Sequence, residues 1–121
     1  MRNWRVQPAE LVETVLADHC NGKYPPSLED LVAIADRYRF QVYSDDLLTT
    51  ALTFHSQRVI FLPKTKPETM HRMLLHEIAE VLLRMPVAPE YHYVPSGIDE
   101  FHEVATLVQR RARWIGQSTE R

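Results

Sequence analysis

A long stripe of apolar residues in the second half of the chain limits the folds that are open to it. The members of this stripe recur at three- and four-residue spacing: Met70, Met73, Leu74, Ile78, Val81, Leu82 and Met85. Pro67 suits the first turn of such a helix, because a proline there removes no hydrogen bond. The spacing predicts a helix from about Pro67 to Met85 that must bury one face against other elements.

Two further helices are predicted before this segment. The first runs from Pro8 to about His19, with Asn21-Gly22 as its stop signal. The second begins after Ser27, which is a suitable N-cap, and Asp30 stands where a capping box places its acidic partner. We expect this second helix to end near Arg39.

Three short segments between the helices have the composition of β-strands. They are "FQVYS" (40–44), "LTTALTFH" (48–55) and "RVIFLP" (58–63), rich in β-branched and aromatic residues. The third is almost continuously apolar, which is typical of a strand buried on both faces. Residues 55–58 are predicted to turn the second strand into the third as a hairpin. A loop, 86–97, precedes a last helix from about Ile98 or Asp99 to Trp114.

Helices and strands thus occupy separate blocks of the chain, which favours an α+β fold. We expect about four helices with a small, three-stranded, mainly antiparallel sheet. A length of 121 residues is enough for one hydrophobic core but not two, so residues 1–121 are predicted to form a single domain.

The composition excludes several classes of protein. An apolar fraction of 45% with 25% charged residues is typical of a globular protein, and no segment approaches the length of a membrane span. A formal charge of -2 gives no general surface for nucleic acid, so the basic "RRARW" (110–114) is interpreted as a solvated helix end. A single cysteine permits no internal disulfide, and we expect a cytoplasmic protein.

The helix at 67–85 also contains a candidate metal site, "HEIAE" (76–80). His76 and Glu80 are four residues apart, so they share one helical face with Cβ atoms about 5–6 Å apart, and zinc accepts both donor types. Glu77 occupies the position of the general base in HExxH enzymes. A third ligand must come from another element, and the last helix offers Asp99, Glu100, His102 and Glu103.

A simpler interpretation of this pattern must be kept beside the first. HExxE is a weak signal, and His76 and Glu80 form an ordinary hydrogen-bonded pair on a half-exposed helix in this interpretation. No functional role is predicted for two other histidines: His71 is expected to be exposed, and His55 is expected to belong to the hairpin. Cys20 is expected to be a buried thiol rather than a ligand.

Several segments together make the chain similar to a known family. They are "LEDLVAIADRYRFQVY" (28–43), "RVIFLP", "KPETMHRMLLHEIAEVLL" (66–83) and "HEVATLVQR" (102–110). Over residues 27–111 the chain resembles the ImmA/IrrE family of HExxH metallopeptidase-like proteins. The resemblance implies a zincin-like fold in which a glutamate on the later helix completes a zinc site with the two histidines of HExxH.

This sequence departs from the family pattern at two positions. The second histidine ligand corresponds to Glu80, and the glutamate of the later helix corresponds to His102. The resemblance therefore implies a zinc site with exchanged ligands, namely His76, Glu80 and His102, with Glu77 as the catalytic base. Two alternatives stay open: a descendant without metal, and a site in which Glu103 replaces His102.

The resemblance also implies a function. Related proteins are linked to the cleavage of transcriptional repressors, so we expect a zinc-dependent peptidase acting on a peptide or regulatory protein. The segment 48–55 is the candidate substrate-binding edge, and Tyr91, His92 or Tyr93 are candidates for oxyanion stabilisation, although the simpler interpretation has them cover the core. DNA contact is expected only through a partner. The alternatives are a non-catalytic module that binds a regulator, with or without metal, and a carboxylate-bridged di-metal protein.

Overall fold

The computed structural model describes residues 8–84 and 98–112, with side chains described for 9–84 and 101–112. The described elements are, in chain order, α1 (Pro8–His19), α2 (Leu28–Arg37), β1 (Gln41–Asp45), β2 (Leu52–Phe54), β3 (Val59–Pro63), α3 (Pro67–Leu83) and α4 (Ile98–Arg111). This order confirms the α+β class, with four helices and a small three-stranded sheet.

The ends of the first two helices follow local sequence signals. After α1 the chain enters left-handed backbone at Asn21 (φ 55°) and Gly22 (φ 87°), as the stop signal predicts. The capping box of α2 is present: Ser27 Oγ accepts from Asp30 N at 3.0 Å, and Asp30 Oδ2 accepts from Ser27 N at 3.1 Å. The helix ends at Arg37, and Arg39 (φ 67°) reverses the chain in left-handed backbone.

The bounds of the later helices agree with their predicted starts. Pro67 lies in the first turn of α3, preceded by Lys66, which has no side-chain capping bond. This helix ends at Leu83 with Arg84 as its C-cap, so Met85 lies outside the described residues. The last helix, α4, ends at Arg111, and Trp114 also lies outside the described residues.

The sheet is mixed, with strand order β1-β3-β2. β2 and β3 pair in antiparallel fashion across the predicted hairpin, whereas β1 runs parallel to β3. The central position of β3 explains its apolar sequence: Ile60 and Leu62 are buried on the helix side. Only Leu52–Phe54 of the strand-like segment 48–55 joins the sheet, and it forms one edge.

The core lies where α3 meets the inner face of the sheet and the other helices. Its fully buried members include Leu16, Leu31, Ile60, Leu62, Leu74, Leu75, Ala79, Ala105 and Val108. Because α3 contributes to every side of this core, truncating Leu74 to alanine is expected to destabilise the fold by about 2–5 kcal/mol. Cys20 is also buried, as predicted.

His71 contradicts its predicted exposure, because the side chain is only 1% exposed. It lies four residues before Leu75 and seven before Ile78, so helical geometry places it on the apolar stripe of α3 rather than beside it. Its Nε2 lies 2.7 Å from the carbonyl oxygen of Pro26, which satisfies that nitrogen inside the core.

The outer face of the sheet carries aromatic side chains from all three strands. Tyr43 and Phe61 stack with ring centroids 5.7 Å apart, and Phe54 meets Phe61 edge to face at 5.9 Å. Tyr43 and Phe54 are about half exposed. None of the described helices is both long and apolar enough to cross a membrane.

Candidate metal centre

The candidate ligands come together where α4 packs against α3. His76 and Glu80 project from successive turns of α3, and His102 reaches them from α4. One donor atom from each of these three side chains lies within 4.8 Å of the others. Ala105 and Val108 are fully buried on α4, which places the neighbouring position 102 beside α3.

Glu80 is the centre of this cluster. Its Oε2 lies 2.8 Å from His76 Nε2 and 3.4 Å from His102 Nδ1. Its Oε1 lies 3.2 Å from an Arg84 guanidinium nitrogen, which also donates to the Glu80 carbonyl at 3.0 Å. One carboxylate oxygen is thus shared by the two imidazoles, and the other is held by the arginine.

The ring of His76 is oriented by its other nitrogen. Nδ1 lies 3.2 Å from Oε1 of Gln109, a carbonyl oxygen that only accepts, so Nδ1 carries the proton. Nε2 then points its lone pair at the Glu80 carboxylate oxygen, 2.8 Å away. Because two lone pairs repel at that distance, a cation must lie between the two atoms, either a proton or a metal ion. An orienting partner on the second nitrogen is typical of histidines that bind metal.

The pKa values of the pair follow from this arrangement. Burial opposes charge on His76, but the hydrogen bond to Glu80 and the nearby carboxylates of Glu77 and Glu80 outweigh it and raise the pKa of His76. The hydrogen bond from His76, together with the charge of Arg84, lowers the pKa of Glu80 to about 2. Both shifts favour the pairing of an imidazolium with a carboxylate when no metal is bound.

The three donors match the ligand types of zinc, and their spacing is close to that of a zinc site. Ligand atoms at about 2.0–2.2 Å from zinc in tetrahedral geometry lie roughly 3.3–3.6 Å apart. The 3.4 Å between Glu80 Oε2 and His102 Nδ1 lies in that range, the 2.8 Å between Glu80 Oε2 and His76 Nε2 would lengthen around an ion, and no two of the three donors are more than 4.8 Å apart. The His102 side chain is 67% exposed, so it is free to rotate toward an ion. Three protein ligands leave a fourth position open, as in catalytic zinc sites.

Among the described residues, the ligand group contains His102 and not Glu103, the alternative third ligand. Glu103 is exposed on α4. The side chains of Asp99 and Glu100 lie outside the described residues, as do Tyr91, His92 and Tyr93.

Glu77 connects the metal helix to the edge of the sheet. Its Oε1 accepts a 2.6 Å hydrogen bond from the hydroxyl of Thr53, which lies on β2. Glu77 is half-buried next to His76 but is not one of the three clustered donors. The candidate base therefore lies between the ligand cluster and strand β2.

Sequence reasoning missed three residues that contact this site. Arg84 lies four residues after Glu80, so its helical spacing was a readable signal. Gln109 lies two turns after His102 on α4, so the two share one face of that helix. This spacing predicts a contact with the site only once His102 is known to face α3. Thr53 carries no local signal, because its role depends on the packing of β2 against α3.

Comparison of the chain with protein-family models, curated proteins and solved structures found no significant match. The family resemblance therefore stays a prediction from the motifs.

Proposed function

We propose that this protein is a zinc-dependent endopeptidase similar to the ImmA/IrrE-type proteins, with its zinc ligands exchanged between two helices. The proposal is supported chiefly by one observation: His76, Glu80 and His102 converge within 4.8 Å. The hydrogen bond that links the adjacent Glu77 to the sheet edge adds support. The cytoplasm is the expected compartment, since the only cysteine is a free, buried thiol.

The residues of the chain have distinct roles in this proposal. His76, Glu80 and His102 would hold the ion, which when bound supplies Lewis-acid polarisation of a carbonyl and acidifies water. Glu77 takes a proton from the attacking water as the water oxygen bonds to the peptide carbonyl carbon. Glu77 then returns that proton to the departing amine nitrogen as the carbon–nitrogen bond breaks. Thr53 holds one oxygen of Glu77 and leaves Oε2 for the proton.

Strand β2 is the candidate surface for an extended substrate. It pairs with β3 on one side and forms an edge of the three-stranded sheet. Backbone groups at such an edge bind peptides by strand addition. The Thr53–Glu77 bond places this edge beside the candidate base, which is where a scissile bond is needed.

The substrate that we propose is a regulatory protein such as a transcriptional repressor. This part of the proposal comes from the family resemblance and not from the geometry of the site. Any contact with DNA is assigned to the partner, because the chain has a formal charge of -2.

The test is cleavage of an unstructured protein substrate by zinc-loaded protein, with Glu77→Gln as the variant. We expect the variant to retain zinc and to lose about 10²–10⁴-fold in rate, the usual contribution of a general base. Glu68→Gln is the matched control, because Glu68 is an exposed carboxylate at the start of the same helix. Equal cleavage by the Glu77→Gln protein would exclude this role.

A second candidate function is a non-catalytic module that binds a regulator, with or without metal. The observation that favours it is that both carboxylates already have protein partners: Thr53 for Glu77, and His76 with Arg84 for Glu80. Such a module would bind its partner equally well as wild type and as Glu77→Gln. No product would form in either case.

A further inference from the structure

A cationic pocket lies one helical turn beyond the candidate metal centre along α3. It has a volume of about 620 Å³ and is lined by Arg37, Tyr38, Arg39, Phe40, His55, Arg58, Val81 and Arg84. Four of these eight residues are arginines, and none is acidic. We call it the arginine pocket.

Three of its guanidinium groups lack a carboxylate partner within the described part of the chain. Arg58 donates to the carbonyl oxygen of Tyr38 at 2.7 Å, and Arg37 contacts Nδ1 of His19 at 2.7 Å, so both meet neutral groups. Arg39 is exposed and forms no ion pair with a described residue. Arg84 alone is paired, with Glu80. The pocket therefore carries uncompensated positive charge.

Two of the pocket arginines lie at turn positions of the backbone. Arg39 (φ 67°) and Arg58 (φ 59°) both lie in the left-handed region, where most side chains are strained and glycine or asparagine is favoured. These two strained positions belong to different turns, yet both line the same pocket. The end of α2 and the turn between β2 and β3 thus bring the two arginines to one place.

The remaining lining residues restrict the kind of anion that fits. Phe40 is buried, and the Arg58 guanidinium lies 5.7 Å from its ring centroid. Burial and the charge of Arg84 lower the pKa of His55, so its imidazole is neutral at pH 7 and available for hydrogen bonding. The pocket thus has an apolar floor and a positively charged rim, which can bind an acidic side chain through its aliphatic carbons and its carboxylate.

The pocket also has a defined position relative to Glu77. Thr53 contacts Glu77, and His55, two residues further along the chain, lines the pocket. At about 3.3 Å per residue, these positions are roughly 7 Å apart. A peptide added to the free edge of β2 is expected to run antiparallel, the more stable pairing. Its residues before the scissile bond would then lie at the pocket.

We propose that the arginine pocket binds acidic side chains of a peptide substrate, about two to four residues before the cleaved bond. The location relative to the cut rests on the proposed peptidase function. The binding of acidic peptide does not rest on it, so the two are tested separately.

The first experiment measures binding without cleavage. A fluorescein-labelled peptide containing Glu-Asp-Glu is titrated with full-length Glu77→Gln protein, beside a peptide containing Gln-Asn-Gln, and anisotropy is read at low salt. We expect the acidic peptide to bind more tightly, and added salt to weaken it. Introducing Arg39→Asn and Arg58→Asn together should weaken binding about tenfold, as expected for two exposed charge contacts.

The asparagine substitutions separate charge from folding, because asparagine tolerates left-handed backbone. The relief of backbone strain opposes the loss of the Arg58 contacts with the Tyr38 carbonyl and the Phe40 ring, so the doubly substituted protein should keep a cooperative melting transition while it loses affinity for the peptide. Lys64→Gln with Lys66→Gln is the matched control, since it removes the same charge from exposed residues at the far end of β3. Equal loss in the control, or tight binding of inorganic phosphate without acidic peptide, would overturn the proposal.

The second experiment uses zinc-loaded wild-type protein and peptides with the acidic residues placed before or after a fixed scissile bond. Preferred cleavage with acidic residues before the bond is the expected result. Cleavage without any acidic preference would refute the pocket and leave the peptidase standing. Arginine-dependent binding without cleavage would support the pocket and refute the peptidase.

Discussion

The candidate metal centre and the arginine pocket are neighbours on α3 with opposite chemistry. In the centre, the donors of His76, Glu80 and His102 contact one another. In the arginine pocket, Arg58 donates to a neutral backbone carbonyl group, and Arg39 is exposed to solvent. One turn of a helix thus separates a cluster whose charges are mutually satisfied from one whose charges are available to a ligand.

The two regions also differ in burial, and burial sets the size of each effect. The side chains of His76 and Glu80 are 11% and 15% exposed, whereas Arg39 and Arg58 are exposed. Charges interact more strongly when they are withdrawn from water, and exposed pairs contribute about 0–1 kcal/mol. Substitutions in the candidate metal centre should therefore change ligand affinity more than substitutions in the arginine pocket do.

The largest effect is expected from Glu80→Ala, which removes the carboxylate shared by both imidazoles. Zinc affinity, measured by competition with a chromogenic chelator, should fall more than about 100-fold, because even loss of an orienting partner costs 10–100-fold. Glu103→Ala is the matched control and should bind zinc normally. The reverse outcome, with loss only in Glu103→Ala, would exclude Glu80 as a ligand and make Glu103 one.

An intermediate effect is expected from pH. In metal-free protein the raised pKa of His76 stabilises the fold below about pH 6.5, and this contribution is lost as pH rises through that pKa. Zinc requires a neutral imidazole, so with zinc the stability should rise over the same pH interval.

Melting temperatures measured from about pH 6 to 8.5 in chelator and in excess zinc test this contrast. The slope of melting temperature against pH should be more positive in zinc than in chelator, because other histidines, such as His55 with its lowered pKa, titrate alike in both series. His76→Gln is the informative variant, since it removes the titrating group. Parallel slopes in wild-type protein would show that zinc does not displace a proton from His76.

The smallest effect is expected from Arg84→Gln, at the junction of the two regions. Arg84 donates to Glu80 Oε1 and lies 4.5 Å above the Phe101 ring. Removing its charge should strengthen zinc binding up to about fivefold, because Glu80 Oε1 becomes available to the ion, and should weaken the binding of acidic peptide. Weaker zinc binding in this variant would mean that Arg84 chiefly orients Glu80.

Local features of this protein were readable from the residues themselves. The capping box at Ser27, the stop at Asn21-Gly22 and Pro67 in the first turn of α3 involve neighbours within a few positions. The spacing of His71 from Leu75 and Ile78 also places it on the apolar stripe of α3, whereas its partner, the carbonyl oxygen of Pro26, depends on tertiary packing. The pairing of β1 with β3 in parallel similarly depends on the whole sheet.

The sequence by itself determined the spacing of His76 and Glu80, because a helix brings residues four apart onto one face whatever surrounds it. Only the tertiary structure decided that His102 and Gln109 reach this pair, that Thr53 holds Glu77, and that four arginines share a pocket. These contacts join segments far apart in the chain, and packing of the apolar core, which carries no local signal for them, brings those segments together.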